Sequence, residues 1–201
     1  HILWINLITD SLPALALGVD PKDREIMNEK PRDPNESLFA HGALAFTVYN
    51  GIMIAALTLG AFLWSPIIHL NAAGEAVTLN NIRDLFNGVL VLKNVDINDI
   101  VMHAQTYAFT TLGISQLFHA IGMRNYDKSL FKMSHIDNFA MIGAFTAGLL
   151  LQVLVTEIPF LTEVFETSQL TLREWINLIL LSAIPLLSHE IIVFGKNLMK
   201  K

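Results

Sequence analysis

The sequence predicts an all-α chain, a polytopic bundle of transmembrane helices. Three observations lead there. The chain is 53% hydrophobic and only 15% charged, with a mean hydropathy of +0.49, which lies outside the balance of a water-soluble domain. Apolar runs of roughly twenty residues, the length that crosses a hydrocarbon core of about 30 Å, recur between short polar stretches. Lys and Arg gather in alternate connections, as the positive-inside rule asks of a chain that crosses several times.

Five segments follow in order. The first runs from His1 to about Gly18, is polar at Asn6, Thr9, Asp10 and Ser11, and contains Pro13. The second, about Gly42 to Trp64, lies between the Pro-rich charged stretch Asp20 to Asn35 and the breaker pair Ser65-Pro66. A third spans about Ala104 to Gly122, a fourth about Ile136 to Val155, and the last about Trp175 to Gly195 before a basic tail.

Positive charge sets the orientation. Lys22, Arg24, Lys30 and Arg32 follow the first segment, Arg124, Lys128 and Lys132 follow the third, and Lys196, Lys200 and Lys201 end the chain. Only Arg83, Lys93 and Arg173 fall on the other side. Four crossings after the first connection put the larger set and the C-terminus in the cytoplasm. The stretch 65–103 then becomes an outer loop.

Several function classes drop out. No basic stripe marks a nucleic-acid surface, and the absence of cysteine excludes disulfides and thiolate metal sites. Neither a Gly-rich phosphate loop, an acylation nucleophile nor a metal-hydrolase spacing is present, so the fragment alone is expected to have no catalytic site. The opening His1-Ile2-Leu3-Trp4-Ile5 lacks the basic start and cleavage site of a signal peptide and reads as the downstream part of a longer protein.

The chemistry concentrates in the first segment. Asn6, Thr9 and Asp10 stand at i, i+3 and i+4, one sector of an α-helix. Pro13 lacks an N–H and crowds the carbonyl of residue 9, which opens the helix beside them. An intramembrane Asp next to opened backbone is expected to form a cation site, although it can also merely hold helices together. Oxygen donors suit hard cations, and calcium takes about six to eight of them, so this helix supplies roughly half a shell. The remainder is expected from helices preceding His1.

The run Trp4-Ile5-Asn6-Leu7-Ile8-Thr9-Asp10-Ser11-Leu12-Pro13-Ala14-Leu15-Ala16-Leu17-Gly18, followed by Asp23-Arg24-Glu25-Ile26-Met27 and Lys30-Pro31-Arg32-Asp33-Pro34, resembles the type II P-type cation-transporting ATPases. It is similar to their sixth membrane helix and the cytoplasmic loop behind it. The remaining segments then stand for helices seven to ten, and Ala14 to Gly18 sits nearer the calcium pumps than the sodium/potassium pumps.

The resemblance implies that Asn6, Thr9 and Asp10 are ligands of the transported ion. It also implies that Asp23 and Glu25 belong to the loop coupling ion occupancy to phosphate chemistry. Gln116 stands where pumps of the sarcoplasmic-reticulum kind place a glutamate, so one Ca2+ per cycle is expected. Mg2+ and ATP would be used by upstream domains, the partners being those domains, the upstream helices and the lipid bilayer of the cell membrane. In this reading residues 1–19 form the ion-binding helix, 20–41 the coupling loop, and 42–201 a four-helix support region. A pump for Na+ or Mn2+, an ion-coupled transporter or channel, and a structural anchor bundle remain as alternatives.

Elsewhere the residues invite plainer readings. His119, one turn after Gln116, is expected to be a packed histidine rather than a proton relay. His189 and Glu190, near the inner end of the last segment, are expected to close a polar contact or to snorkel toward the interface. Glu157, Glu163 and Glu166 are expected to be solvated, and Trp4, Trp64 and Trp175 to be packing or interface aromatics.

Overall fold

The computed structural model describes residues 1–21, 37, 40, 42–92, 95–124, 129 and 138–199. Most of those residues are helical, with no strand among them. The first segment is a short turn α1 (Ile2–Trp4), a π-helix π1 (Ile5–Asp10) and α2 (Ser11–Gly18). There follow α3 (Ala43–Ala73), α4 (Leu79–Phe86), α5 (Ile97–Gly122), α6 (Phe139–Glu157), α7 (Pro159–Phe165), α8 (Leu172–Ser182) and α9 (Ile184–Met199).

α3 continues past the expected boundary at Trp64 and through Pro66 to Ala73. At about 1.5 Å per residue it is longer than a hydrocarbon core needs. Ser65, next to the proline, reaches across to bond the Ile100 carbonyl of α5 at 3.1 Å. The stop comes at Gly74, whose φ of 75° suits a residue without a Cβ, and whose N–H bonds back to Asn71. α4 and α5 then start on side-chain caps: Thr78 accepts from the Asn81 N–H, and Asp96 from the Asn98 N–H. Part of the stretch expected as an outer loop is therefore helical, and α5 begins seven residues before Ala104.

Three stretches among the described residues are long and apolar enough to cross a membrane: Ala43–Ala73, Phe139–Glu157 and Leu172–Leu198. α5 is not one of them, although a crossing was expected there. Its position explains this. α5 packs against π1, α2, α3, α6, α8 and α9, and it buries Thr106, Thr110, Thr111 and Ser115 completely. A helix surrounded by protein can carry hydroxyls that lipid would not tolerate.

The packing around α5 falls into local clusters. Ala61 of α3, Tyr107 and Ile114 of α5, and Trp175 and Leu178 of α8 meet on one side. Leu70, Ile82, Leu85 and Ile100 close the α3–α4–α5 corner. Ile5, Phe109 and Val155 hold π1 against α5 and α6, while Ala16, Met141 and Ala144 hold α2 against α6. α5 and α6 approach closely because Gly148 has no side chain: a Cβ there would lie 2.8 Å from Leu117.

Glu157 is half-buried instead of solvated, because it accepts from the Trp175 indole at 2.8 Å and from the Leu170 N–H at 3.2 Å. Glu163 and Glu166 are exposed, as expected. α8 opens on a capping box between Thr171 and Glu174, and Glu174 also accepts from the Tyr107 hydroxyl. Pro185 has no N–H to continue the ladder, and α8 ends at Ser182 before α9 resumes at Ile184.

Candidate cation site

The opening expected near Pro13 takes the form of the π-helical segment Ile5–Asp10, one turn before the proline. A π-helix bonds i to i+5 and turns roughly 80° per residue, where an α-helix turns about 100°. The arc spanned by the three predicted ligands widens only from about 100° to about 120°, and their surroundings divide them. Asn6 and Asp10 are exposed on one side of the described bundle, whereas Thr9 is 1% exposed and faces α5. The single sector expected from α-helical spacing becomes two neighbouring faces.

Two hydroxyls bond the widened turn. Thr9 Oγ1 donates to the Ile5 carbonyl at 2.8 Å, and Ser11 Oγ donates to the Asn6 carbonyl at 3.1 Å. Thr9 Oγ1 also lies 2.8 Å from the Gln116 carboxamide. A hydroxyl has one proton, so both contacts are satisfied when Thr9 donates to Ile5 and the amide turns its Nε2 toward Thr9. The structure thus brings Thr9 and Gln116 together across 107 positions.

The wall behind Thr9 is polar as well. Gln152 of α6, 1% exposed, donates from Nε2 to Thr110 Oγ1 at 3.3 Å. Its Oε1 has no hydrogen-bond partner. No three His, Cys, Asp or Glu side chains gather among the described residues. Asp10 is the one acid in the predicted set, the rest being amide and hydroxyl oxygens.

Asp23 and Glu25 lie outside the described residues. The start of the connection that carries them is described, and Asp20 sits in a tight node there. Arg124, at the end of α5, donates to the Asp20 carboxylate from Nη2 at 2.8 Å and from Nε at 3.1 Å. Asn138 adds a bond from Nδ2 to Asp20 Oδ1 at 2.7 Å and another to the Ala16 carbonyl at 3.0 Å, while its Oδ1 caps α6 at Met141. Sequence reasoning missed this node and counted Arg124 only as a cytoplasmic charge. One signal was present: an acid just past the C-terminus of a helix opposes its dipole and needs a cation nearby.

His119 stacks beside Phe46 with ring centroids 6.3 Å apart, which fits a packed histidine. His189 is buried against Gly122, and its Nε2 lacks a hydrogen-bond partner. Glu190 accepts from Ser129 Oγ at 2.5 Å. Gln152 was also missed, though an amide in the middle of the mostly apolar run 139–155 was a visible signal.

Residues 1–194 match the family described as cation transporting ATPase, C-terminus. The chain is 42% identical over 196 residues to calcium-transporting ATPase 1 of Bacillus cereus, covering 98% of this chain and 20% of that protein. It is 34% identical over 185 residues to the calcium-transporting ATPase of Bacillus subtilis, covering 92% and 18%. With the calcium-transporting ATPase of Plasmodium falciparum the identity is 27% over 210 residues, covering 96% and 17%. The chain spans about a fifth of the length of these relatives. A helical membrane bundle that matches this family along almost its whole length belongs to it: the chain is a member of the cation-transporting ATPase C-terminal family.

Proposed function

We propose that the chain is the C-terminal membrane part of an ATP-driven calcium exporter of the cell membrane, with Asn6, Thr9 and Asp10 as its share of the ion site. The observation that carries this is the 2.8 Å approach of Thr9 to Gln116, which joins the first-segment set to the α5 position singled out by the resemblance. The three relatives, each named a calcium-transporting ATPase, support calcium as the ion.

The hydroxyl arithmetic supports an ion ligand at Thr9. With its proton given to the Ile5 carbonyl, Thr9 keeps lone pairs that accept from an amide N–H or face a cation. The Gln116 amide can turn to present Oε1 to the ion, adding an oxygen but no charge. In this reading Asp10 alone among these residues offsets the double charge, which argues for one Ca2+ per cycle. Asn6 and Asp10, exposed on their face, complete the site with helices of the same protein that precede His1.

Residues 20–41, with Asp23 and Glu25, form the cytoplasmic coupling loop, and residues 42–201 the supporting bundle, with its outer region at about 65–103 and its C-terminus in the cytoplasm. Upstream domains of the full-length protein use Mg2+ and ATP to form the phosphoenzyme. The test is calcium-dependent phosphorylation of the full-length protein from ATP. It should vanish in Asp10→Asn and weaken in Asn6→Ala, and unchanged calcium dependence in both removes them from the site. One calcium bound per phosphoenzyme is expected; two would overturn the role given to Gln116.

A further inference from the structure

A cleft of about 390 Å³ opens at the end of the bundle where α3 finishes and α8 begins, well apart from Asn6, Thr9 and Asp10 in the fold. Trp64 and Ile68, one turn apart on α3, form its apolar wall. Arg173, Glu174 and Asn177 face them from the first turns of α8, with Tyr107 of α5 beside them. Both flanking helices belong to stretches long and apolar enough to cross a membrane. In the proposed topology this end is the outer membrane boundary.

The two charges in the cleft do not neutralise each other. Arg83 and Asp84, also adjacent in sequence, pair at 3.2 Å. Glu174 instead turns away from Arg173: Oε1 accepts from the Tyr107 hydroxyl, and Oε2 accepts from the Thr171 N–H at 2.6 Å and the Thr171 hydroxyl at 2.8 Å. The exposed Arg173 guanidinium is left without an ion pair among the described residues, and the half-buried Asn177 carboxamide without a hydrogen bond. A carboxylate has about four acceptor positions, so Glu174 keeps one for a further donor. We propose that this cleft binds a phospholipid with a primary amine in its headgroup, the phosphate on Arg173 and Asn177, the ammonium on Glu174, and an acyl chain along Trp64 and Ile68.

The order of charges selects this occupant. A free phosphate would meet the Glu174 carboxylate beside Arg173 and leave the apolar wall uncovered. An uncharged chain would leave the guanidinium and the amide unanswered. A headgroup with both charges answers each, and an indole beside it suits the headgroup level of a bilayer. The volume falls in the range of small-molecule sites, about 300 to 1,000 Å³, and the rest of the lipid lies along the two helices.

Native mass spectrometry of the detergent-solubilised full-length protein tests this, with titration by dioleoylphosphatidylethanolamine or dioleoylphosphatidylcholine. The trimethylated ammonium of the second lipid has no N–H to donate, so the wild type should bind the first about tenfold more tightly at one saturable site. Glu174→Gln keeps a side chain suited to the capping box and should abolish that preference. Arg173→Gln should weaken both lipids about tenfold. Ile68→Trp fills the cleft from its apolar wall and should weaken both while every polar group stays in place.

Equal affinity of the wild type for the two lipids overturns the proposal, as does a preference that survives Glu174→Gln. Binding unchanged in Ile68→Trp puts the lipid elsewhere and overturns it too, and this variant decides if Arg173→Gln fails to accumulate. A photocrosslinking residue at position 68, in vesicles of the two lipids, should capture lipid; capture of a partner protein's helix in native membranes instead overturns the lipid assignment. None of these measurements involves calcium, so they leave the ion-site reading standing whichever way they fall.

Discussion

Arg124 grips Asp20 through two nitrogens, at 2.8 and 3.1 Å, and so fastens the end of α2 to the end of α5. The arginine side chain is 8% exposed and the aspartate 20%, so water screens the pair only in part. Asn138 shares the same carboxylate and ties in the start of α6. Three helix ends meet where the chain enters the connection proposed to couple ion and phosphate chemistry.

Breaking the pair from one side leaves an uncompensated, mostly buried charge. Arg124→Ala is expected to cost about 2 to 4 kcal/mol, more than an exposed ion pair contributes. Arg124→Lys should restore little, since an ammonium cannot reproduce the two-pronged contact. Denaturation of the detergent-solubilised full-length protein provides the measurement, and removing both partners should cost less than the sum of the single changes.

Asn138 caps α6 with Oδ1 and uses Nδ2 twice, on Asp20 and on the Ala16 carbonyl. Asn138→Ala loses the cap and orphans the carbonyl, an expected loss of about 2 kcal/mol. Asn138→Asp retains a capping oxygen but sets a second carboxylate beside Asp20, and should destabilise at least as much. The same denaturation assay compares the two; a milder effect from aspartate would show that the cap outweighs the Asp20 contact.

Gln116→Leu keeps the bulk of the side chain while removing both polar atoms that face Thr9. If Gln116 lends an oxygen to the ion, half-maximal calcium activation should move upward about tenfold. If the amide only bonds the helix, stability should fall and the calcium dependence should stay. Calcium titration of phosphorylation, read beside the denaturation midpoint, separates the outcomes.

Gly148 lets α5 and α6 touch, with Leu117 filling the space where a side chain would stand. Gly148→Ala should destabilise by about 1 to 3 kcal/mol through overpacking. Shortening the neighbour in the same chain, with Leu117→Val, should recover part of that loss. No recovery would mean that the backbones themselves, rather than this pair, set the helix separation.

The helical class and the membrane habit were legible because they depend on local composition: α6 and α8–α9 stand close to their expected segments, and α3 overshoots only at Trp64. The candidate ion residues were legible for a similar reason, an acid, an amide and a hydroxyl crowded ahead of a proline in an apolar run. Glu157 misled because a charged residue near a helix end looks solvated until an indole from another helix is seen to claim it.

By itself the sequence determined which stretches are apolar enough to be helices in a membrane, and where an acid, an amide and a hydroxyl crowd together in one of them. Only the tertiary structure decided that Thr9 turns inward while Asn6 and Asp10 face out, that α5 lies inside the bundle, and that Arg124 belongs to Asp20. The physical reason is range. Helix formation and hydrophobicity arise from neighbours a few positions apart, whereas a buried hydroxyl face and an ion pair take their form from side chains that approach across a hundred residues.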